Sequence, residues 1–187
     1  MELQRKIDFG VFKLVFRAMA ESDDLEIMAN HFAQLLAASL AIKGCVIFVL
    51  NPQTGELEHL ASFGLSMNYL HKGPVKRDRS LAESIHGKPT VIRDTHHTDR
   101  LQYPEDAKKE GIRAIVSIPI LFSGKVIGAL RLYHREVWDI PEEDVDSLMV
   151  LAEGLGLAMT YTRTVSALKS IRQTVLDIHG VWTMEPQ

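Results

Sequence analysis

The stretch GIRAIVSIPILFSGKVIGALRLYH, residues 111–134, decides the fold. Two apolar, β-branched runs, Arg113–Leu121 and Val126–Tyr133, flank Phe122-Ser123-Gly124-Lys125. Ser-Gly between two such runs predicts a hairpin, because Gly124 can adopt φ > 0. Nearly every position is apolar, so both faces of the hairpin must be covered by the rest of the chain. Pro119 has no N–H to give to a ladder, which predicts a bulge or a strand edge there.

Downstream, residues 134–140 read as a connection, and Pro141 fits the first turn of a helix. Glu142, Glu143 and Asp144 follow, where the helix dipole favours negative charge. Val145, Leu148, Ala152, Leu155, Met159 and Thr162 step by 3 and 4 residues and predict a core-facing stripe. From Tyr161 the period changes: Tyr161, Leu168, Val175 and Trp182 recur every seven residues, with Thr164, Ile171 and Ile178 between them. Over about three heptads this predicts a coiled coil, frayed near Gly180. The same pattern would also suit packing on the N-terminal helix of one chain. Residues 163–182 outrun the domain, which favours a dimer.

Upstream, residues 2 to 20 predict a helix, with Phe9, Phe12, Phe16 and Met19 on one strip and Val11, Leu14, Val15 and Ala18 beside it. So wide a stripe predicts burial between two partners. Ser22-Asp23-Asp24 supplies the cap of a second helix carrying Leu25, Met28, Phe32, Leu36 and Leu40, with Gly44 after Lys43 as its stop. Residues 45–50 predict a buried strand, Asn51-Pro52-Gln53-Thr54-Gly55 a turn, and 56–63 an alternating partner strand. Residues 64–73 read as a loop with one helical turn. Ser80-Leu81-Ala82-Glu83 has the capping-box pattern of a short helix ending near Gly87. A short strand over 89–93 and a polar stretch 95–110, with one helical turn after Pro104, complete the chain. The fold class is therefore α+β: a central antiparallel sheet of five or six strands, terminal helices on one face, short helices and loops on the other. The boundaries are 1–21 for the N-terminal helix, 22–162 for the domain and 163–187 for the helical extension.

The 187 residues carry a net charge of −3, which argues against a general nucleic-acid binder. A single cysteine, Cys45, excludes an intramolecular disulfide and a Cys-based zinc cage. Neither a signal-peptide core nor an apolar run of about 18 residues is present, so no membrane span and a cytoplasmic location are expected. A Gly-rich phosphate loop, HExxH and GxSxG are all absent, so the expectation is a protein without catalysis.

The segments NPQTGELEHLASFG (51–64), SLAESIHGKPTVIRD (80–94), GIRAIVSIPILFSGKVIGALRLY (111–133) and IPEEDVDSLMVLAEGLGLAM (140–159) together resemble the GAF domain family over residues 22–162. The resemblance implies a GAF/PAS-like regulatory module of a signalling protein. It implies a small ligand between the sheet and the middle segment, and dimerisation through the terminal helices. Family versions with a covalent bilin carry a Cys before the central strands, and residues 95–112 have none. The family's free-methionine sulfoxide reductases use several thiols, which one cysteine cannot supply. Residues 134–138 do not match the Asn-Lys-Phe-Asp-Glu signature of cyclic-nucleotide-binding members. Haem-binding members use a pocket His, a role open to His96 or His97.

Six residues are candidates for ligand binding: Arg93, His97, Arg100, Tyr103, Arg113 and Ser117. Arg113 opens a central strand and can aim a bidentate fork at a carboxylate or phosphate, or can pair with Asp94, Asp99 or Glu110. Ser117 is the lone hydroxyl of its strand, available to a ligand or to a neighbouring carbonyl. Tyr103 can close over a pocket or lie on the surface, and His96-His97 can serve a ligand or make local hydrogen bonds. Lys72, Lys76, Arg77 and Arg79 form a basic patch suited to an anionic ligand, an acidic partner or solvent. Cys45, opening an apolar strand, reads as a small buried hydrophobe rather than a redox sensor. The expected function is a sensor that binds an unidentified small molecule and acts, through dimerising helices, on a signalling partner or output domain. No particular cofactor is indicated. The rivals are an adaptor whose pocket is filled by Phe63, Leu65, Met67 and Tyr69, and an enzyme on the same scaffold.

Overall fold

The computed structural model describes residues 6–73, 75 and 87–182, with side chains to 177. Its elements are α1 (Phe9–Ala20), α2 (Leu25–Ser39), β1 (Gly44–Leu50), β2 (Leu57–Phe63), α3 (Met67–Leu70), β3 (Thr90–Ile92), a 3-10 turn (Thr95–His97), α4 (Pro104–Lys109), β4 (Ala114–Phe122), β5 (Lys125–His134) and α5 (Glu142–Trp182). The fold class is α+β, and the strands form one antiparallel sheet ordered β2-β1-β5-β4-β3. The expected capping box Ser80–Glu83, its short helix and Lys76, Arg77 and Arg79 lie outside the described residues.

The β4–β5 hairpin turns at Ser123 (φ 50°) and Gly124 (φ 72°), both left-handed, as the two-residue loop requires. Pro119 pairs with Ala129, while β3 reaches only Ile115–Ser117 of β4. The missing N–H therefore falls where β4 has a free outer edge. Strand alternation divides the core in two. Cys45, Ile47, Val116, Ile118, Leu130 and Leu132 join one cluster with the helices. Val46, Phe48, Ile115, Ala129 and Tyr133 join the other, beneath α3 and α4.

On the helical face, α5 lays Leu148, Leu151, Ala152, Leu155 and Met159 into the core. The helix approaches β4 closely because Gly156 has no side chain: a Cβ there would stand 2.3 Å from the Leu121 carbonyl oxygen. Asp144, buried in the first turn of α5, accepts from the backbone N–H groups of Lys6 (2.9 Å) and Ile7 (3.1 Å), pinning the chain start to this helix. Beyond Thr162, α5 runs on past Gly180 without the expected fraying, and Leu168, Ile171 and Val175 face outward.

Two terminal expectations are corrected. Of the helix expected from residue 2, residues 2–5 lie outside the described residues and 6–8 are not helical; α1 begins at Phe9, where Asp8 caps it by accepting from Val11 N–H at 3.1 Å. The second helix ends at Ser39, and Gly44 opens β1 instead of stopping the helix. Glycine is needed at 44 because a Cβ would meet the Phe63 carbonyl oxygen at 2.5 Å. In α1 the inward residues are Val11, Val15, Ala18 and Met19, while Phe9 is 81% exposed and Phe16 44%.

The close approach of α5 gives a direct test. Gly-to-Ala changes inside a helix normally stabilise by up to about 1 kcal/mol. Gly156→Ala is expected instead to destabilise by about 1–3 kcal/mol, because backbone oxygen cannot move aside. Gly154→Ala meets only the tip of the Phe16 ring, at 2.8 Å, and should cost less. Urea denaturation of both variants measures the order.

Candidate functional site

The face opposite the helices carries the chemistry. Arg131 sits in mid-β5, opposite Val46 of β1 and Ser117 of β4, and Ser117 in turn opposes Thr90 of β3. Arg131, Ser117 and Thr90 are 4%, 0% and 2% exposed, so a polar row crosses a buried apolar face. The Arg131 guanidinium lies 5.0 Å from the Phe48 ring centroid. Its Nε has no hydrogen-bond partner, nor does Thr90 Oγ1. No ion pair to Arg131 exists among the described residues; its charge is favoured only by the hydroxyls of Tyr133 and Tyr69, and burial lowers its pKa.

Lys72 is the second cation. It follows α3, whose cap Ser66 accepts from Tyr69 N–H at 3.2 Å and is itself bonded to Glu110. This cap anchors the turn that brings Lys72 over the sheet. Its Nζ donates to the Tyr69 carbonyl oxygen at 2.9 Å and stands 3.7 Å above the Tyr69 ring. Burial first, then the charge of Arg131, pushes the Lys72 pKa down to about 8. The Tyr69 and Tyr133 rings meet edge to face at 5.7 Å. Tyr69, Lys72, Ile92, Tyr103, Ile115 and Arg131 are among the walls of a cavity of about 20 Å³. That is room for about one water. Larger grooves, of about 390 and 580 Å³, open beside Arg163 where α5 leaves the sheet, but they are shallow and exposed.

The six candidates separate. Tyr103 lines the cavity, and its hydroxyl accepts from Gln102 at 3.1 Å. Ser117 lies in the polar row beside Arg131. Arg113 spends its fork on Asp94, Nε to Oδ1 at 3.2 Å and Nη2 to Oδ2 at 2.9 Å. His97 is exposed and bonds the same carboxylate at 2.9 Å, and Arg93 pairs with Asp139 at 3.1 Å. Arg100 is exposed in the loop before α4. Of the proposed filling residues, Tyr69 and Leu65 pack on the sheet, whereas Phe63 and Met67 are exposed. Sequence reasoning missed Arg131 and Thr90 and placed Lys72 in a basic patch open to an anionic ligand, an acidic partner or solvent. The signal was available: Arg131 is the lone charge inside VIGALRLY, on the opposite face from Leu130 and Leu132.

Cys45 is fully buried and its thiol is pushed up by burial, which suits a hydrophobe and not a thiolate. Among the described residues no His, Cys, Asp and Glu group could hold a metal ion, and no helix is long and apolar enough to cross a membrane.

An antiparallel sheet backed by terminal helices and roofed by an irregular segment defines a class of regulatory fold. The sequence model of the GAF domain matches residues 24–159, well over half of the chain, and the chain belongs to the GAF domain family. The family's members are in general regulatory and sensory modules of signalling proteins. The chain is similar to the GAF domain of a phosphoenolpyruvate-protein phosphotransferase from Coxiella burnetii (TM-score 0.75, 19% identity, 84% of this chain and 95% of that one). It is similar to free methionine-R-sulfoxide reductase from Neisseria meningitidis (0.69, 14%, 88% and 98%). A domain of a sensor histidine kinase from Sinorhizobium meliloti also resembles it (0.68, 17%, 79% and 99%). At these identities the likeness concerns the fold. No curated protein matches the chain.

The Asp94–Arg113 pair predicts an acid response. The Arg113 fork, then the His96 N–H and His97, hold the Asp94 carboxyl well below the usual carboxylate range. A lowered folded-state pKa gives stability that is present above the unfolded value, near 4, and lost as pH falls below it. Asp94→Asn should therefore melt at a lower temperature than the wild type at pH 7, the gap closing toward pH 2 in thermal melts.

Proposed function

We propose that this chain is a non-catalytic sensory module. A small molecule enters between the sheet and the 64–110 cover, and the event is passed to terminal helices paired with a second copy. The observation that carries this reading is the cavity floor. A native interior satisfies its polar groups, yet Arg131 Nε has no partner beside a void that Lys72 and Tyr103 also line. β5 then links the two faces: Arg131 points to the cavity side, while Leu130 and Leu132 belong to the core shared with α5. A guest that binds one arrangement of this cover and strand better than another shifts the population toward it.

The helical extension supports the dimer. Leu168, Ile171 and Val175 are 61%, 61% and 49% exposed, on the heptad positions of a helix 41 residues long, about 60 Å. Apolar residues repeated along an unpaired helix suit a second helix. Output then falls to another domain or polypeptide, as is common for GAF domains.

The adaptor reading has one observation in its favour, the small size of the cavity, about 20 Å³ between the described walls. The two readings part in a melting experiment with a metabolite panel: a sensor is stabilised by its guest, and an adaptor by none. For the dimer, Leu168→Glu with Ile171→Glu changes only exposed side chains. Light scattering should give the mass of two chains for the wild type and of one for the variant; equal masses would remove the coiled coil from the account.

A further inference from the structure

We propose that the guest of this cavity is a small organic carboxylate, its oxygens held by the Arg131 fork with the Lys72 ammonium as second cation; this rests on the sensory reading above. Among the described residues, two cations face one cavity without an anion. Lys72 carries no ion pair among the described residues, and Asp106 and Glu110 act on it only from beyond bonding distance. Glu110 is engaged elsewhere, by Lys43 at 3.2 Å and by Ser66. A buried guanidinium normally pairs with a carboxylate, because leaving either charge alone in a low dielectric is costly. Here the other polar and aromatic cavity groups among the described residues are the rings and hydroxyls of Tyr69 and Tyr103 and the Gln102 amide, which stabilise a cation without neutralising it. A carboxylate supplies the missing charge, and the planar fork with its free Nε–H matches its two oxygens. The walls at Ile92, Leu101 and Ile115 are apolar, which calls for a carbon body behind the charged head and not a bare inorganic ion. Between the described walls the volume is about 20 Å³, so a guest larger than a water displaces the side chains of Tyr69, Lys72 or Tyr103 on entry.

Binding should also depend on pH. The groups facing Lys72 among the described residues are Tyr69 on its own turn, Arg131 on β5, and Tyr103, Asp106 and Glu110 around α4. Its free-state pKa is about 8, so the ammonium is present below that pH and lost above it. An anion bound beside it favours the charged form, so affinity should fall as pH rises from 7 to 9.

The test is thermal melting of the full chain at fixed ionic strength with pyruvate, succinate and benzoate. Their neutral amides and inorganic phosphate serve as the contrasting arms. The expected result is a shift of roughly 5 °C at saturation for at least one carboxylate and none for its amide. The shift should vanish in Arg131→Met. In Lys72→Met, which replaces a partly buried side chain of similar length at the edge of the cavity, affinity should be weaker by about tenfold and no longer fall between pH 7 and 9. Amides matching their acids, or a carboxylate shift that survives Arg131→Met, would overturn the carboxylate assignment while leaving a sensor. Phosphate acting more strongly than every carboxylate would likewise overturn it. A panel in which neither acids nor amides shift the wild type more than the variants overturns this proposal, and the sensory reading then depends on the wider metabolite screen alone.

Discussion

A charged side chain placed in the middle of a buried strand constrains everything around it. Arg131 cannot turn to the helical face, because its strand neighbours Leu130 and Leu132 point there and successive residues alternate. It cannot reach solvent, because α3, α4 and their loops roof the sheet. Among the described residues the guanidinium meets the Phe48 ring and the hydroxyls of Tyr133 and Tyr69, none of which neutralises it. Burying an ion without a counter-charge costs several kcal/mol, about the scale of a domain's net stability. An interior built for stability alone would place a leucine at 131.

The two faces of the sheet are therefore unlike in purpose. The helical face is apolar and closely fitted, with Gly156 against the Leu121 carbonyl oxygen and Asp144 tying the chain start to α5. Packing of that kind has discrete arrangements and little slack. The opposite face is roofed by short elements held at their ends, by Ser66 on Glu110 and by Asp94 on Arg113. Those anchors fix the rim of the described cover around Arg131. One strand, β5, carries both surfaces: Leu130 and Leu132 on the helical side, Ala129, Arg131 and Tyr133 on the other.

The sheet was legible in the sequence because its signals are local. Ser123-Gly124 sets a two-residue turn, apolar runs on either side have the strand period, and steps of 3 and 4 from Val145 mark the helix that covers them. Helix ends were less legible. Asp8 and Asp24 are both good caps, but Gly44 reads as a helix stop until the Phe63 backbone lying against it is seen. The site was harder still. Arg93 and His97 looked available because their partners, Asp139 and Asp94, are brought near them by tertiary packing or a local turn, whereas the pairing of Arg113 with Asp94 was one of the readings open from the sequence. Arg131 looked like part of an apolar run, and its isolation follows only from knowing which residues face it across β1 and β4. Lys72 likewise changes meaning once α3 folds it over the sheet.

The Nε–H of Arg131 is the donor on which the account turns, and nuclear magnetic resonance can observe it by itself. The side-chain ¹⁵Nε–¹Hε signal of Arg131, assigned by its loss in Arg131→Lys, should shift as a stabilising carboxylate is titrated and saturate with the same affinity as the melting response. A signal that stays fixed while the carboxylate binds would place the guest elsewhere and leave the buried guanidinium unexplained.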